Sequence, residues 1–220
     1  MEIVPGVHQV GIGYVNCFLI VEEELALIDA ATRGSSGHIV ESIERLGRSP
    51  SELTLICLTH YHSDHVGAAA ELKGLTGAKV AAHRADVPFI NGEAPFFKEA
   101  RGLKRALLFP PPPVEVDVVL EDGDELRPLG GLAVVHTPGH TPGSICLYSP
   151  SRRIVFVGDA LNNWGGRLSP PMRLVSRDMA EARRSAQRLA ELDFDTMCFG
   201  HGRTVTGNAQ AKAKRLVARL

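Results

Sequence analysis

Short apolar runs, separated by polar or glycine-bearing turns, dominate the chain and predict a strand-rich fold. Ile3 to Gly13, Val15 to Val21, Leu25 to Asp29, Leu53 to Leu58 and Lys79 to Ala82 read as strands, with Glu22 to Glu24 as a polar turn. Ile39, Val40, Ile43 and Leu46 instead keep a helical period, between a capping Ser35 or Ser36 and a closing Gly47. Ala68 to Lys73 reads as a second helix. Arg84 to Pro113 breaks this rhythm: two short helices carrying Phe89, Phe96, Phe97 and Leu107 are expected there, followed by Phe109 and a stiff run of prolines, Pro110 to Pro113. Strands resume at Val114 to Leu120, Leu132 to Val135, Ser144 to Tyr148 and Arg153 to Val157. A helix over Asp178 to Leu192, a strand over Thr196 to Phe199 and a helix from about Gly207 to Leu220 complete the pattern.

The two halves echo each other. Leu25 to Ala30 and Ile154 to Ala160 are both apolar strands ending in Asp-Ala, and Leu53 to His60 and Leu132 to His140 are both strands feeding a His-bearing loop. No clean linker divides them, so residues 1–220 are read as one α/β domain. Its 220 residues, 44% hydrophobic, suffice for a sizeable core. With 24 Lys and Arg against 25 Asp and Glu, the net charge of −1 offers no global attraction for nucleic acid or an anionic membrane. No apolar run reaches the length of a membrane span, and no targeting segment is evident. Cys17, Cys57, Cys146 and Cys198 lie far apart in apolar runs and read as buried hydrophobes, so a cytoplasmic location is expected.

The chemistry concentrates in Thr59-His60-Tyr61-His62-Ser63-Asp64-His65, which follows the Leu53–Leu58 run directly. Side chains at i and i+2 of an extended chain project to one side, so His60 and His62 can reach one ion and Tyr61 turns away into packing. The turn that follows would swing Asp64 and His65 toward a second. Three isolated residues join them at predicted strand ends: His140 in a Pro-Gly turn, Asp159, and His201 between glycines. Imidazoles mixed with carboxylates suit zinc, with manganese, iron or cobalt as substitutes.

These segments carry a family resemblance. H-x-H-x-D-H (His60 to His65), P-G-H-T (Pro138 to Thr141), G-D-A (Gly158 to Ala160) and G-H-G (Gly200 to Gly202) resemble, in order and spacing, the motifs of the metallo-β-lactamase superfamily. The resemblance implies a four-layer αβ/βα sandwich, here with a helical insert around residues 84–113, and two metals at one edge. His60, His62 and His140 would hold the first metal, Asp64, His65 and His201 the second, and Asp159 would bridge them. Asp29 matches the family's early strand-end Asp, which orders the metal loop. The implied activity is hydrolysis of a small-molecule ester, thioester or lactone by a metal-bridging hydroxide, with Asp64 as the candidate proton shuttle. Competing readings on the same fold are a single-iron persulfide dioxygenase and a phosphodiesterase.

Among the branches, lactonases share the ligand set and stay open. The absent signal peptide argues against antibiotic hydrolysis, and the short tail after His201 argues against a glutathione-binding extension. Phe89, Phe96, Phe97, Trp164 and Met172, with Leu161, are candidates for an apolar cap over the site or for packing of the insert. Arg167, Arg173 and Arg177 either bind a substrate anion or serve the surface. His83 could face the cleft, His136 is expected in a structural hydrogen bond, and His8 and His38 at the surface. A homo-oligomer stays open.

Overall fold

The chain folds into four layers in the computed structural model, which describes residues 1–95 and 110–220. The first sheet runs in chain order: β1 (Glu2–Val4), β2 (Val7–Ile12), β3 (Val15–Val21), β4 (Leu25–Ile28), β5 (Leu53–Leu58), β6 (Lys79–His83) and β7 (Val118–Leu120). It is antiparallel as far as β4 and parallel from β4 to β7. The second sheet has the order β15 (Val205–Thr206), β14 (Thr196–Cys198), β11 (Ile154–Phe156), β10 (Ile145–Ser149), β9 (Leu132–His136) and β8 (Glu125–Leu126), with β11 and β14 parallel. A separate hairpin pairs β12 (Asn162–Trp164) with β13 (Arg167–Ser169).

Strand alternation sorts the side chains into three cores. Phe18, Ile20, Ala26, Ile28 and Cys57 of the first sheet meet Val134, Ile145, Leu147, Ile154 and Phe156 of the second. Their neighbours Cys17, Leu19, Leu25, Leu27, Ile56 and Leu58 face the other way, onto Ile39 and Ile43 of α1 (Ser36–Arg45) and Leu72 of α3 (Ala69–Thr76), which follows the single turn of α2 (Ser63–Val66). On the far side Cys146, Val155 and Met197 pack against Ala186 and Leu189 of α5 (Met179–Ala190) and Ala213 of α6 (Ala209–Val217). Strands buried on both faces carry near-continuous apolar runs, which is why they are legible as strands. Phe18 and Phe156 meet edge-on at 5.3 Å between the sheets.

Several expectations change. Ile3 to Gly13 is a hairpin rather than one strand, because Pro5 and Gly6 (φ 78°) turn the chain between β1 and β2. Val114 to Leu120 pairs only from Val118, after the Pro110–Pro113 run. Among the described residues the insert contributes one short helix, α4 (Val87–Ile90), which carries Phe89; Phe96, Phe97 and Leu107 lie outside the described residues. β8, β12, β13 and β15 are too short for periodicity to register. The strand pairs of the internal echo differ in their setting, since β10 separates β9 from β11 whereas β4 and β5 are adjacent.

All four cysteines are buried and unpaired, and burial raises their thiol pKa values, Cys146 to about 12. A thiolate-specific reagent is expected to label none of them in the native protein and all four after denaturation. Rapid native labelling would contradict this packing.

Candidate metal centre

Strand ends on one edge of the sandwich deliver every candidate ligand. β5 ends one residue short of Thr59, and α2 begins right after His62. That single turn carries Asp64 and His65 round to a second group. β9 and β10 hold the His140 loop between them, Asp159 follows β11, and His201 follows β14.

The geometry gathers all seven. Nitrogen or oxygen atoms of His60, His62 and His140 lie within 4.8 Å of one another, as do those of Asp64, His65 and His201, and those of His60, His65 and Asp159. Asp159 faces both sides: Oδ1 lies 3.4 Å from His65 Nε2, and Oδ2 lies 3.5 Å from His140 Nε2 and 3.3 Å from His201 Nε2. The His60 and His65 rings approach to 4.0 Å.

Outer contacts orient the rings. Asp29 accepts from the Thr59 amide at 2.8 Å, from the Thr59 hydroxyl and, at 2.8 Å, from His65 Nδ1. With its proton given to Asp29, the Thr59 hydroxyl accepts from His60 Nδ1 at 3.1 Å. The Ser176 hydroxyl donates to Met172 O and accepts from His140 Nδ1 at 3.0 Å, and His201 Nδ1 donates to Tyr14 O. Each of these four imidazoles therefore uses Nδ1 outward and aims Nε2 inward, as metal-binding histidines do. Asp29 itself sits at φ 61°, a left-handed conformation that Asp tolerates better than most residues. Gly200 is required beside the cluster, since a Cβ there would stand 2.5 Å from the His65 ring and 2.7 Å from Asp159 Oδ1.

Whether these residues fit a metal is decided by their unmet polarity. His60 Nε2 and His140 Nε2 are buried without a hydrogen-bond partner among the described residues. Such orphaned groups destabilise a fold by roughly 1–3 kcal/mol each unless something coordinates them. Burial and neighbouring imidazoles hold His60 and His62 well below the usual histidine pKa, and burial brings His140 down to about 4, so their lone pairs are available. Burial also lowers His65 and His201, but the adjacent carboxylates outweigh it and raise both. Those carboxylates create the negative field in which a cation belongs. The residues fit divalent metal.

A cavity of about 280 Å³ opens onto the cluster, lined by Tyr14, His62, Asp64, Asp159, Asn162, Trp164, Met172, Val175 and His201. Tyr14 and Trp164 each lie nearly parallel to the His201 ring, at 5.6 Å. Phe89 does not line this cavity: it stacks on Tyr61 at 4.6 Å, and Arg177 lies over the Phe89 ring and donates to the Tyr61 hydroxyl. The buried Tyr61 ring offers Phe89 an apolar partner. Leu161 is in the core behind α5. His83 stacks on His136 at 4.0 Å, and His136 Nε2 donates to Pro142 O. Sequence reasoning missed Tyr14, Asn162, Val175, Ser176 and Asn16, whose side-chain amide donates to Phe199 O and Gly202 O and so steadies the His201 loop. None of them belongs to a recognisable motif; only the folded chain brings them near.

A helix–sheet–sheet–helix sandwich with such a cluster at its strand ends defines a class of divalent-metal hydrolases. The sequence pattern of the metallo-beta-lactamase superfamily matches residues 10–201, and the chain belongs to that superfamily. Probable metallo-hydrolase YflN of Bacillus subtilis is 30% identical over 246 residues, covering 100% of this chain and 92% of that protein. Hydroxyacylglutathione hydrolase GloC of Haemophilus influenzae is 32% identical over 161 residues, 71% of each chain. Among solved structures, a metallo-beta-lactamase family protein of Thermus thermophilus superposes with a TM-score of 0.76 at 26% identity, covering 99% of this chain and 80% of that one. The chain is a metal-dependent hydrolase.

Proposed function

We propose that this chain, as one domain in the cytoplasm, is a dinuclear zinc hydrolase of small-molecule esters, thioesters or lactones. The observation that carries the reading is the division of the ligands into two groups with Asp159 between them. Bound there, two ions would supply an activated water and polarise the substrate's carbonyl oxygen. The protein's own residues do the rest. Asp29, Thr59, Ser176 and the Tyr14 carbonyl fix the imidazoles before substrate arrives. Asp64, with a side chain 21% exposed at the cavity wall, would hold and pass on a proton at its carboxylate. Tyr14, Trp164, Met172 and Val175 give the acyl or leaving group an apolar seat.

GloC is named for hydroxyacylglutathione hydrolysis, so thioesters lead the substrate panel, followed by lactones and phosphodiesters. Purified protein is expected to carry about two zinc ions per chain and to turn over a thioester or lactone. One iron per chain with oxygen uptake would replace this reading with persulfide oxidation. Trp164→Ala is expected to raise KM for the working substrate about 3–10-fold with kcat little changed, from loss of roughly 0.5–1.5 kcal/mol of aromatic contact. An unchanged KM removes Trp164 from the pocket.

A further inference from the structure

Behind the His60–His62–His140 group lies a fully buried carboxylate that no motif marks. Asp86 immediately precedes α4, and its backbone amide donates to His83 O at 2.9 Å. Its Oδ2 accepts from the Tyr61 amide at 3.0 Å and from the Thr141 hydroxyl at 2.7 Å, while Oδ1 accepts from the Gly143 amide at 2.6 Å. Tyr61 stands between His60 and His62, and Thr141 and Gly143 follow His140 closely. One carboxylate therefore joins the two loops that supply this group, one from each sheet. Gly143 is obligatory for the approach, since a Cβ there would stand 2.6 Å from Asp86 Cγ.

We infer that Asp86 is a positioning residue for the metal held by His60, His62 and His140, fixing their loops relative to one another. This rests on the dinuclear reading above. A carboxylate is needed because every partner is a donor; an Asn amide would turn an N–H against one of them. Burial pushes the Asp86 carboxyl up to about 7 in spite of these three donors, so its place here works against the fold's stability. Asp29 serves the other side in the same manner, through Thr59 and His65.

Single-group backgrounds separate the effect from general destabilisation. His201→Ala leaves the His60–His62–His140 group, and His140→Ala leaves the Asp64–His65–His201 group. Zinc affinity is measured by competition with a chromophoric chelator. Adding Asp86→Asn is expected to weaken zinc about 10–100-fold in the first background, and less than about threefold in the second. Ile43→Ala, on the buried face of α1, serves as a destabilised control that leaves both affinities unchanged. Equal weakening in the two backgrounds, or a loss no larger than in the control, overturns the assignment. Should Asp86→Asn fail to fold, Thr141→Val removes one donor and is expected to shift the same affinity several-fold, with no shift overturning the assignment. A wild-type chain that binds no zinc overturns the dinuclear reading itself; two bound ions with an indifferent Asp86→Asn overturn only the role of Asp86.

Discussion

Asp159→Ala is expected to lower kcat/KM by about 10³-fold on whichever substrate proves active, and to cut zinc content to one ion per chain or fewer. Its two oxygens face imidazoles of both groups, and the residue is only 8% exposed. Burial alone would raise its pKa, yet His201 and His65 hold the carboxyl well below the usual range, so it is ionised in the folded chain. Removing that charge deletes the carboxylate shared by both groups and leaves His65 and His201, whose pKa values it helps to raise, without their counter-charge. Metal-assisted polarisation is worth several kcal/mol, and about 4 kcal/mol corresponds to roughly 10³ in rate. Asp159→Asn separates charge from shape, because it keeps the volume and one acceptor. It is expected to fold and to bind zinc more tightly than the Ala variant, while remaining well below wild type. Elemental analysis beside steady-state kinetics checks both. An Asp159→Ala protein that keeps two tightly held ions and near-normal turnover would remove Asp159 from its proposed bridging role.

The site is legible in the sequence where local geometry alone decides placement. The i, i+2 rule for an extended chain puts His60 and His62 together and sends Tyr61 into the core, where it stacks on Phe89. His140, Asp159 and His201 stand out as polar residues closing apolar strands. Apart from Asp29, which the resemblance implies, and Thr59, which adjoins His60, the outer contacts are illegible for a physical reason: they are made by chain segments distant in sequence. Asn16 reaches the His201 loop across 183 and 186 residues, and Asp86 reaches Thr141 across 55. Nothing in the spacing of Asp86 distinguishes it from an ordinary helix-capping Asp. The fold shows the same division. Long strands packed on both faces declare themselves by their apolar runs, whereas β12 and β13 depend on pairing with each other, and Asn163 on a bridge to Gly202.

Stripping the metal with a chelator is expected to lower the melting temperature by about 10–20 °C, fully restored by adding zinc. Each ion present at a hundred times its dissociation constant contributes about 2.7 kcal/mol, so two contribute roughly 5 kcal/mol. A domain of this size shifts by about 2–4 °C per kcal/mol. The stripped protein is expected to fold still. His65 and His201, both with raised pKa values, can carry protons that partly neutralise Asp159, and His60, His62 and His140 stay neutral through burial. What the stripped state lacks is a partner for the inward Nε2 atoms of His60 and His140, which water cannot easily reach. His201→Ala, with only one complete group left, is expected to show about half the wild-type shift on chelation. Equal melting temperatures with and without zinc, to within about 2 °C, would mean that the buried imidazoles are satisfied by something other than metal, and the hydrolytic reading would lose its physical basis.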